Sequence, residues 1–409
     1  MPDASRLLVT ACAVLLGGTA VLAQSAGVRE QAITRAQAIQ LALARGPRAE
    51  LLRADSSSAL ARLRIAHQWE NPVAGASYSR SAPTQHFSLD LPLDFPWLRR
   101  ARIGAAEAAA GATRFRYEFD RAALAFEVDT AYTHALAAEQ RATLSQQTVL
   151  AADSLVVLAR LRRDAGDGTE LDVQLSEVNA GQAANLAADD SLERSSSLLV
   201  LQSLMGMPTD RVAVAVADSL LVPPAPSSAP VGVPLLVAAA AEALRSAELA
   251  VTLERRRVYG SASLSAGFER ADPSLPDGAL PTIGFSIPLP VFNRNDGAVE
   301  QAGVVRMRAQ AELQLARQDA AAQATKARRG LTLALARAAR DRRLLDGARR
   351  VAALSLLAYR EGASSLPSVL EAQRIAREAL LTWITDVAAA RTAAGLVGLL
   401  TMIVTPGTR

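Results

Sequence analysis

The stretch Phe285-Ser286-Ile287-Pro288-Leu289-Pro290-Val291-Phe292-Asn293-Arg294-Asn295-Asp296-Gly297 joins two kinds of sequence. Upstream, Thr282-Ile283-Gly284-Phe285-Ser286-Ile287 alternates small or polar with apolar residues, the period-2 pattern of a strand with two unlike faces. Downstream, Ala298 to Glu361 is rich in Ala, Arg, Gln and Leu and has no proline, a composition that favours helix. Pro288 and Pro290 lack amide donors and stop the strand ladder. Asn293, Asn295 or Asp296 is then expected to cap the helix. Gly297 to Glu361 is 65 residues, or about 95–100 Å of helix at ~1.5 Å per residue. A short strand feeds a very long helix.

The same junction occurs earlier, as Phe87-Ser88-Leu89-Asp90-Leu91-Pro92-Leu93-Asp94-Phe95-Pro96 followed by a helical run from about Arg100. Leu91-Pro92-Leu93 lies 196 residues before Ile287-Pro288-Leu289, Gly166 lies 196 before Gly362, and Val173 lies 196 before Val369. Landmarks far apart in each half hold one register without a gap. The chain is an internal duplication.

Working outward, residues 24–209 form the first copy, 210–233 a proline-rich linker, 234–404 the second copy and 405–409 a tail. Residues 24–33 read as an irregular lead. Ile33–His67 reads as a helix broken near Gly46-Pro47, with Leu41, Leu52, Leu60 and Leu63 on its apolar side. A β-hairpin is expected over 73–93, with a turn at Ser81–Gln85. The long helix near Arg100–Arg163 carries Leu124, Val128, Ala131, Ala135 and Ala138 at steps of 4, 3, 4 and 3, the coiled-coil spacing. It reverses in a tip near 164–171, where Thr169 is placed to cap a return helix ending at Gly206-Met207-Pro208. Arg211–Leu221 is valine-rich and fits a short strand. The second copy repeats the order: helix Leu235–Arg257, β-hairpin 261–289, long helix, tip near 360–367, and a return helix through Leu380, Trp383, Ile384 and Val387.

Residues 1–23 have the form of a secretory signal: Arg6, the apolar Leu7–Leu16, and Val21-Leu22-Ala23 before a cut at Gln24. Only three apolar residues, Leu7, Leu8 and Val9, precede Cys12, so a lipoprotein cleavage box is a poor fit. Cleavage after Ala23 removes the one cysteine, which excludes disulfides and thiol chemistry. No transmembrane helix is expected after the signal, because the most apolar tail, Ala393–Val404, is 12 residues against the ~20 a span needs.

Aromatics make up 4% of the chain, Lys326 is the only lysine, and the net charge is +4 with Arg interleaved among Asp and Glu. That pattern provides no basic face for nucleic acid. His67, His86 and His134 stand in different elements without metal-ligand spacing. No phosphate-cradling glycine loop follows a strand, and no Gly-x-Ser-x-Gly occurs. Neither an enzyme nor a cofactor is expected.

Each chain offers four strands, as two hairpins with one apolar and one small or polar face. Two isolated hairpins are marginal in water. In lipid, strands must close into a barrel, and known barrels begin at about 8 strands. Four strands therefore require siblings, and three chains give 12. The soluble alternative is a periplasmic coiled-coil tether whose strands form an end cap and line no pore.

The residues Pro288-Leu289-Pro290-Val291-Phe292-Asn293-Arg294-Asn295, the turn Tyr359-x-x-Gly362, and Ser368-Val369-Leu370-Glu371-Ala372 after it resemble the TolC family of outer-membrane efflux channels, most closely its heavy-metal (CzcC- and CusC-like) branch. The two-copy element order extends the resemblance over essentially the whole mature chain. It implies a mostly α fold: long helical hairpins forming a periplasmic α-barrel, and two β-hairpins contributing to a trimeric 12-stranded barrel in the outer membrane. It also implies a homotrimer docked on a periplasmic adaptor and an inner-membrane pump of the RND type, passively conducting small toxic solutes or metal cations. A duct for protein export alongside an ATP-driven pump is the other transport reading. By position, the family's gate carboxylates fall on Ser368 and Glu371. Ser368 departs from the acidic pattern, and its repeat-equivalent Asp172 is acidic. The tip tyrosine matches Tyr359, while its arginine partner's position holds Ser364, which leaves Arg360 or Arg163 to latch it. Gly166, Gly362, Val173 and Val369 are the expected adaptor-contact positions.

Overall fold

The computed structural model describes residues 30–225, 232–259, 262–270 and 279–404. The expected signal sequence, most of the irregular lead, the centre of the proline linker, Gly260-Ser261, the loop 271–278 and the tail lie outside the described residues.

The lead ends in order. β1 (Gln31–Ile33) pairs in parallel with β4 (Val214–Val216), where an irregular segment was expected. The cause is burial: Ile33 and Val214 are enclosed against Leu198, Leu201 and Tyr132, and the Tyr132 hydroxyl donates to the Ile33 carbonyl at 2.8 Å. Thr34 then caps α1 (Arg35–Arg45) in a reciprocal capping box with Gln37. Gly46 separates α1 from α2 (Pro47–His67). A Cβ on Gly46 would meet the Ala42 carbonyl oxygen at 2.4 Å, so the break needs glycine, and Pro47 starts the next helix where its missing N–H costs nothing. Leu41 and Leu52 pack on the core. Leu60, expected to do the same, is exposed; α2 packs mainly on α3, with a smaller contact to α1.

β2 (Val73–Tyr78) and β3 (Gln85–Pro92) form the first hairpin, and α3 (Pro96–Asp164) follows. At 69 residues, α3 is roughly 100 Å long. It starts four residues earlier than composition suggested, because Pro96 occupies the first turn. α4 (Glu170–Leu204) returns along it. α5 (Leu235–Arg256), β5 (Ser263–Arg270), β6 (Leu280–Ser286), α6 (Asp296–Arg360) and α7 (Leu366–Leu400) repeat the order. Asn295 precedes α6 with φ +62° and makes no side-chain cap. Instead its amide hydrogen-bonds to Asn293, and its side chain donates to the Glu254 carbonyl. The expected capping group thus ties α6 to α5.

The coiled-coil seam of α3 is real: Leu124, Val128, Ala135 and Ala138 are buried, and Ala131 packs beside them. Each buried methylene-sized group is worth about 0.8 kcal/mol, so stability here comes from seam length. α7 is long and apolar enough by composition to cross a membrane, contrary to the expectation from its last 12 residues. Its apolar side is used otherwise, since Ile384, Val387 and Ala388 pack with Ala338 of α6 and Ala137 of α3.

The four long strands form one antiparallel sheet in the order β2-β3-β5-β6. Its register sorts the side chains cleanly. Ala76, Phe87, Phe268 and Pro281 form one row, and Ala74, Leu89, Ala266 and Ile283 the next. Leu91, Leu264 and Phe285 complete the apolar face. The opposite face carries the rows Gly75-Ser88-Gly267-Thr282 and Val73-Asp90-Ser265-Gly284. The apolar face is the exposed one: Ile283 is 85% accessible and Phe285 58%, whereas along β5 the polar-face residues are the more covered. Glycine lets groups on the polar face approach closely. A Cβ on Gly267 would lie 2.3 Å from the Phe87 carbonyl oxygen, and one on Gly284 2.4 Å from the Ser265 hydroxyl. The sheet is inside out for a water-soluble protein.

Candidate functional site

The end of the molecule farthest from the sheet is formed by the two tips, 164–170 and 360–366. Both are built by one backbone motif. Gly166 (φ +85°) and Gly362 (φ +78°) adopt the left-handed conformation that favours glycine. The Ala165 amide donates to the Leu161 carbonyl, Gly166 to Arg163 and Asp167 to Arg162; Glu361, Gly362 and Ala363 donate to Leu357, Tyr359 and Ala358. Every bond recurs at the 196-residue offset, a glycine-terminated helix end of the Schellman type. The starts of the return helices differ. Thr169 and Asp172 form a capping box on α4, whereas α7 opens with Pro367 and a contact between the Ser365 and Ser368 hydroxyls at 3.0 Å.

Arg162 joins the tips. Its guanidinium donates to the Tyr359 carbonyl at 2.6 Å and to the Asp167 carbonyl at 3.1 Å, and lies 4.7 Å from the centroid of the Tyr359 ring. Tyr359 is 4% exposed, packed with Leu155, Leu366 and Val369. Burial pushes its phenol above the usual tyrosine range, partly offset by the positive charge of Arg162 and reinforced by Asp172. One arginine on the first hairpin thus holds the second at its turn.

The other sequence-selected residues have different surroundings. Arg163 pairs with Asp164 and Glu170, turned away from Tyr359, and Arg360 is exposed without an ion pair among the described residues. The arginine that lies against Tyr359 is Arg162. The sequence held one signal for it, the consecutive Arg162-Arg163 in the last turn of α3, of which only one faces the neighbouring hairpin. Glu371 is not a free carboxylate. Arg374 grips both its oxygens, at 2.8 and 2.7 Å, and also bonds Glu378. The hydrogen bond from Arg374 holds Glu371 below the usual carboxylate range. Asp172 accepts from the Thr169 amide at 3.1 Å as part of the cap. Val173 and Val369 are 2% and 0% exposed. These valines shape the hairpins from inside, so any surface gripped by a partner lies on their neighbours. Asp386, higher on α7, is raised above the usual range by a hydrogen bond with Asp341 and by burial.

Among the described residues, no three or more His, Cys, Asp or Glu converge as metal ligands. The site is a mechanical junction with charges at its rim.

An inside-out sheet carried on a duplicated pair of long helical hairpins defines a class, and sequence comparison agrees. Residues 38–207 match the model of the family described as outer membrane efflux protein. It is 27% identical over 255 residues to the nickel-cobalt-cadmium resistance protein NccC of Alcaligenes xylosoxydans xylosoxydans, covering 61% of this chain and 57% of that one. It is 28% identical over 228 residues to the cobalt-zinc-cadmium resistance protein CzcC of Cupriavidus metallidurans, covering 54% of each. These alignments span little more than half the length of the curated relatives. In fold, the chain is similar to the Campylobacter jejuni CmeC outer membrane channel (TM-score 0.77, 16% identity, 90% of this chain and 85% of that one) and to CusC (TM-score 0.75, 17% identity, 94% and 96%). The fold is the one shared by these two solved structures.

Proposed function

We propose that this protein is the outer-membrane exit duct of a tripartite efflux pump, in which three copies close a 12-stranded barrel and a periplasmic helical tunnel. It receives cargo from a periplasmic adaptor and an inner-membrane transporter, of the RND type, and conducts it passively with no chemistry of its own. The observation that carries this reading is the sheet: its apolar rows are exposed and its small and polar rows lie together on the opposite face, as a wall between lipid and water demands. The resemblance to NccC and CzcC supports divalent metal cations as cargo. At the tips, Arg162 on Tyr359 serves as the latch and the Glu371–Arg374–Glu378 cluster as the charged rim. Adaptor contact falls on the exposed surfaces around Gly166 and Gly362.

Single-channel recording tests the proposal. Purified protein added to planar bilayers should give discrete conductance steps and migrate as a heat-modifiable trimer. Monomers that never insert would favour a coiled-coil tether. Expressed with its partner adaptor and pump in a host lacking its own duct, it should restore cation tolerance; export of a protein instead would replace the cargo assignment.

A further inference from the structure

Besides its serine, threonine and glycine rows, the polar face of the sheet carries three ionisable side chains, His86, Asp90 and Glu269. No arginine or lysine shares that face among the described residues. The one such residue in the four strands, Arg270, follows Glu269 and so belongs to the apolar side. Glu269 has a partner: its Oε1 lies 3.2 Å from Nδ1 of His86, whose other ring nitrogen lies 3.2 Å from the Ser79 hydroxyl. Asp90 has neither a hydrogen bond nor an ion pair among the described residues. Its neighbours across the row are Val73, Ser265 and Gly284, none of them able to neutralise it. Aspartate is depleted in strands, and here it packs nothing and bonds nothing.

The carboxylates expected at the tips are engaged. Arg374 grips both oxygens of Glu371, Asp172 accepts from the amide and hydroxyl of Thr169, and Ser368 carries no charge. The free carboxylate is therefore at the other end of the molecule. Asp90 stands two residues before Pro92, the last residue of β3, or about 7 Å inside the helix end of the sheet. Twelve strands spaced ~4.8 Å apart and tilted by about 40° enclose a backbone ring roughly 24 Å across. An aspartate side chain on its inner face then reaches to within roughly 8 Å of the axis. That distance is less than the Debye length of ~10 Å at 0.1 M salt, so an ion on the axis feels every copy of the charge.

We propose that Asp90 is the charge-selectivity residue of the channel. Barrel closure brings one Asp90 from each copy to the same level, and the resulting ring of three carboxylates favours cations over anions on their way out. The inference rests on the proposal that the protein is a trimeric channel, and it names the residue that suits the conduit to cationic cargo. Coulomb's law in water, screened over roughly 8 Å and summed over three charges, gives roughly tenfold preference for a monovalent cation over an anion at 0.1 M salt. Near 1 M salt, where the Debye length falls to ~3 Å, the same ring gives less than about twofold. Selectivity therefore resides in the wall of the barrel, while the tips open and close.

Reversal potentials of the purified protein in planar bilayers, recorded under a potassium chloride gradient, test the ring. The potassium-to-chloride permeability ratio of the wild type should be roughly tenfold near 0.1 M and collapse near 1 M. Asp90→Asn should lower it at least about threefold, and Asp90→Arg should turn the preference to anions. Asp90→Asn combined with Ser265→Asp, which returns a carboxylate to the same row on the next strand, should restore the preference. Conducting Asp90→Asn channels with the wild-type ratio, or no rescue by Ser265→Asp, would overturn the ring while leaving the channel intact. A wild-type ratio unmoved by salt would do the same, and that measurement needs no variant, so it decides even where an Asp90 substitution blocks insertion. Wild-type protein that never conducts would defeat this inference and the channel reading together.

Discussion

Replacing Arg162 with alanine removes the side chain that hydrogen-bonds the first tip to the turn of the second. Two interactions between the tips are lost, a charged hydrogen bond to the Tyr359 carbonyl at 2.6 Å and a guanidinium–ring contact at 4.7 Å, along with the bond to Asp167 within the first tip. Hydrogen bonds to charged groups are worth about 1.5–3 kcal/mol, and exposed cation–π contacts about 0.5–1 kcal/mol. Arg162 is only partly buried, and solvent competes for its donors. A net loss of about 1–2 kcal/mol is therefore expected, a shift of roughly 5–30-fold toward the released tip. In planar bilayers, Arg162→Ala should raise mean conductance or open fraction accordingly. Arg162→Lys, which keeps the charge but not the fork reaching both Tyr359 and Asp167, should fall between. Tyr359→Phe should behave as wild type, because the latch uses the ring face and the backbone carbonyl. An Arg162→Ala channel indistinguishable from wild type, or a leaky Tyr359→Phe, would refute the latch.

The rim cluster makes opposite predictions for its members. Glu371→Ala leaves Arg374 with Glu378, so block by divalent cations should weaken; Arg374→Ala uncovers two carboxylates and should strengthen it. Because the hydrogen bond from Arg374 favours the ionised Glu371 and holds it below the ordinary carboxylate range, the pair's contribution is present above the ordinary carboxylate value and is lost only as pH falls through the lowered one. Cation block should therefore persist under mildly acidic conditions, and recordings that lose it at about pH 5–6, above the ordinary carboxylate range, would contradict the pairing. Gly362→Ala forces a left-handed residue to carry a side chain and should cost about 1–2 kcal/mol, read as a lower trimer melting temperature. Tyr132→Phe removes the acceptor of the Asp218 amide and leaves the Ile33 carbonyl and the Ala217 amide with only the bond between them. That should lower stability by about 1–3 kcal/mol in thermal melts.

Much of this architecture was legible because duplication writes each junction twice. Leu91-Pro92-Leu93 and Ile287-Pro288-Leu289 marked where strands give way to helices, and Gly166 and Gly362 marked both tips, down to matching hydrogen bonds. What escaped depends on the third dimension. β1 forms because Ile33 and Tyr132 meet across 99 residues, which no local pattern announces. Val173 and Val369 followed the repeat, but repetition does not say whether a side chain faces out or in. The choice between Arg162 and its neighbour turned on about 100° of helix rotation.

The central claim is that the outward rows of the sheet meet lipid while the inward rows meet water. Spin labels placed singly at Thr282, Ile283, Phe285 and Ser286, in a Cys12→Ser chain reconstituted into vesicles, test it along one strand. Labels at Ile283 and Phe285 should be relaxed by oxygen dissolved in the bilayer, and those at Thr282 and Ser286 by a water-soluble nickel chelate. Four labels equally open to the chelate, with no alternation, would show a sheet standing in water and would contradict the account.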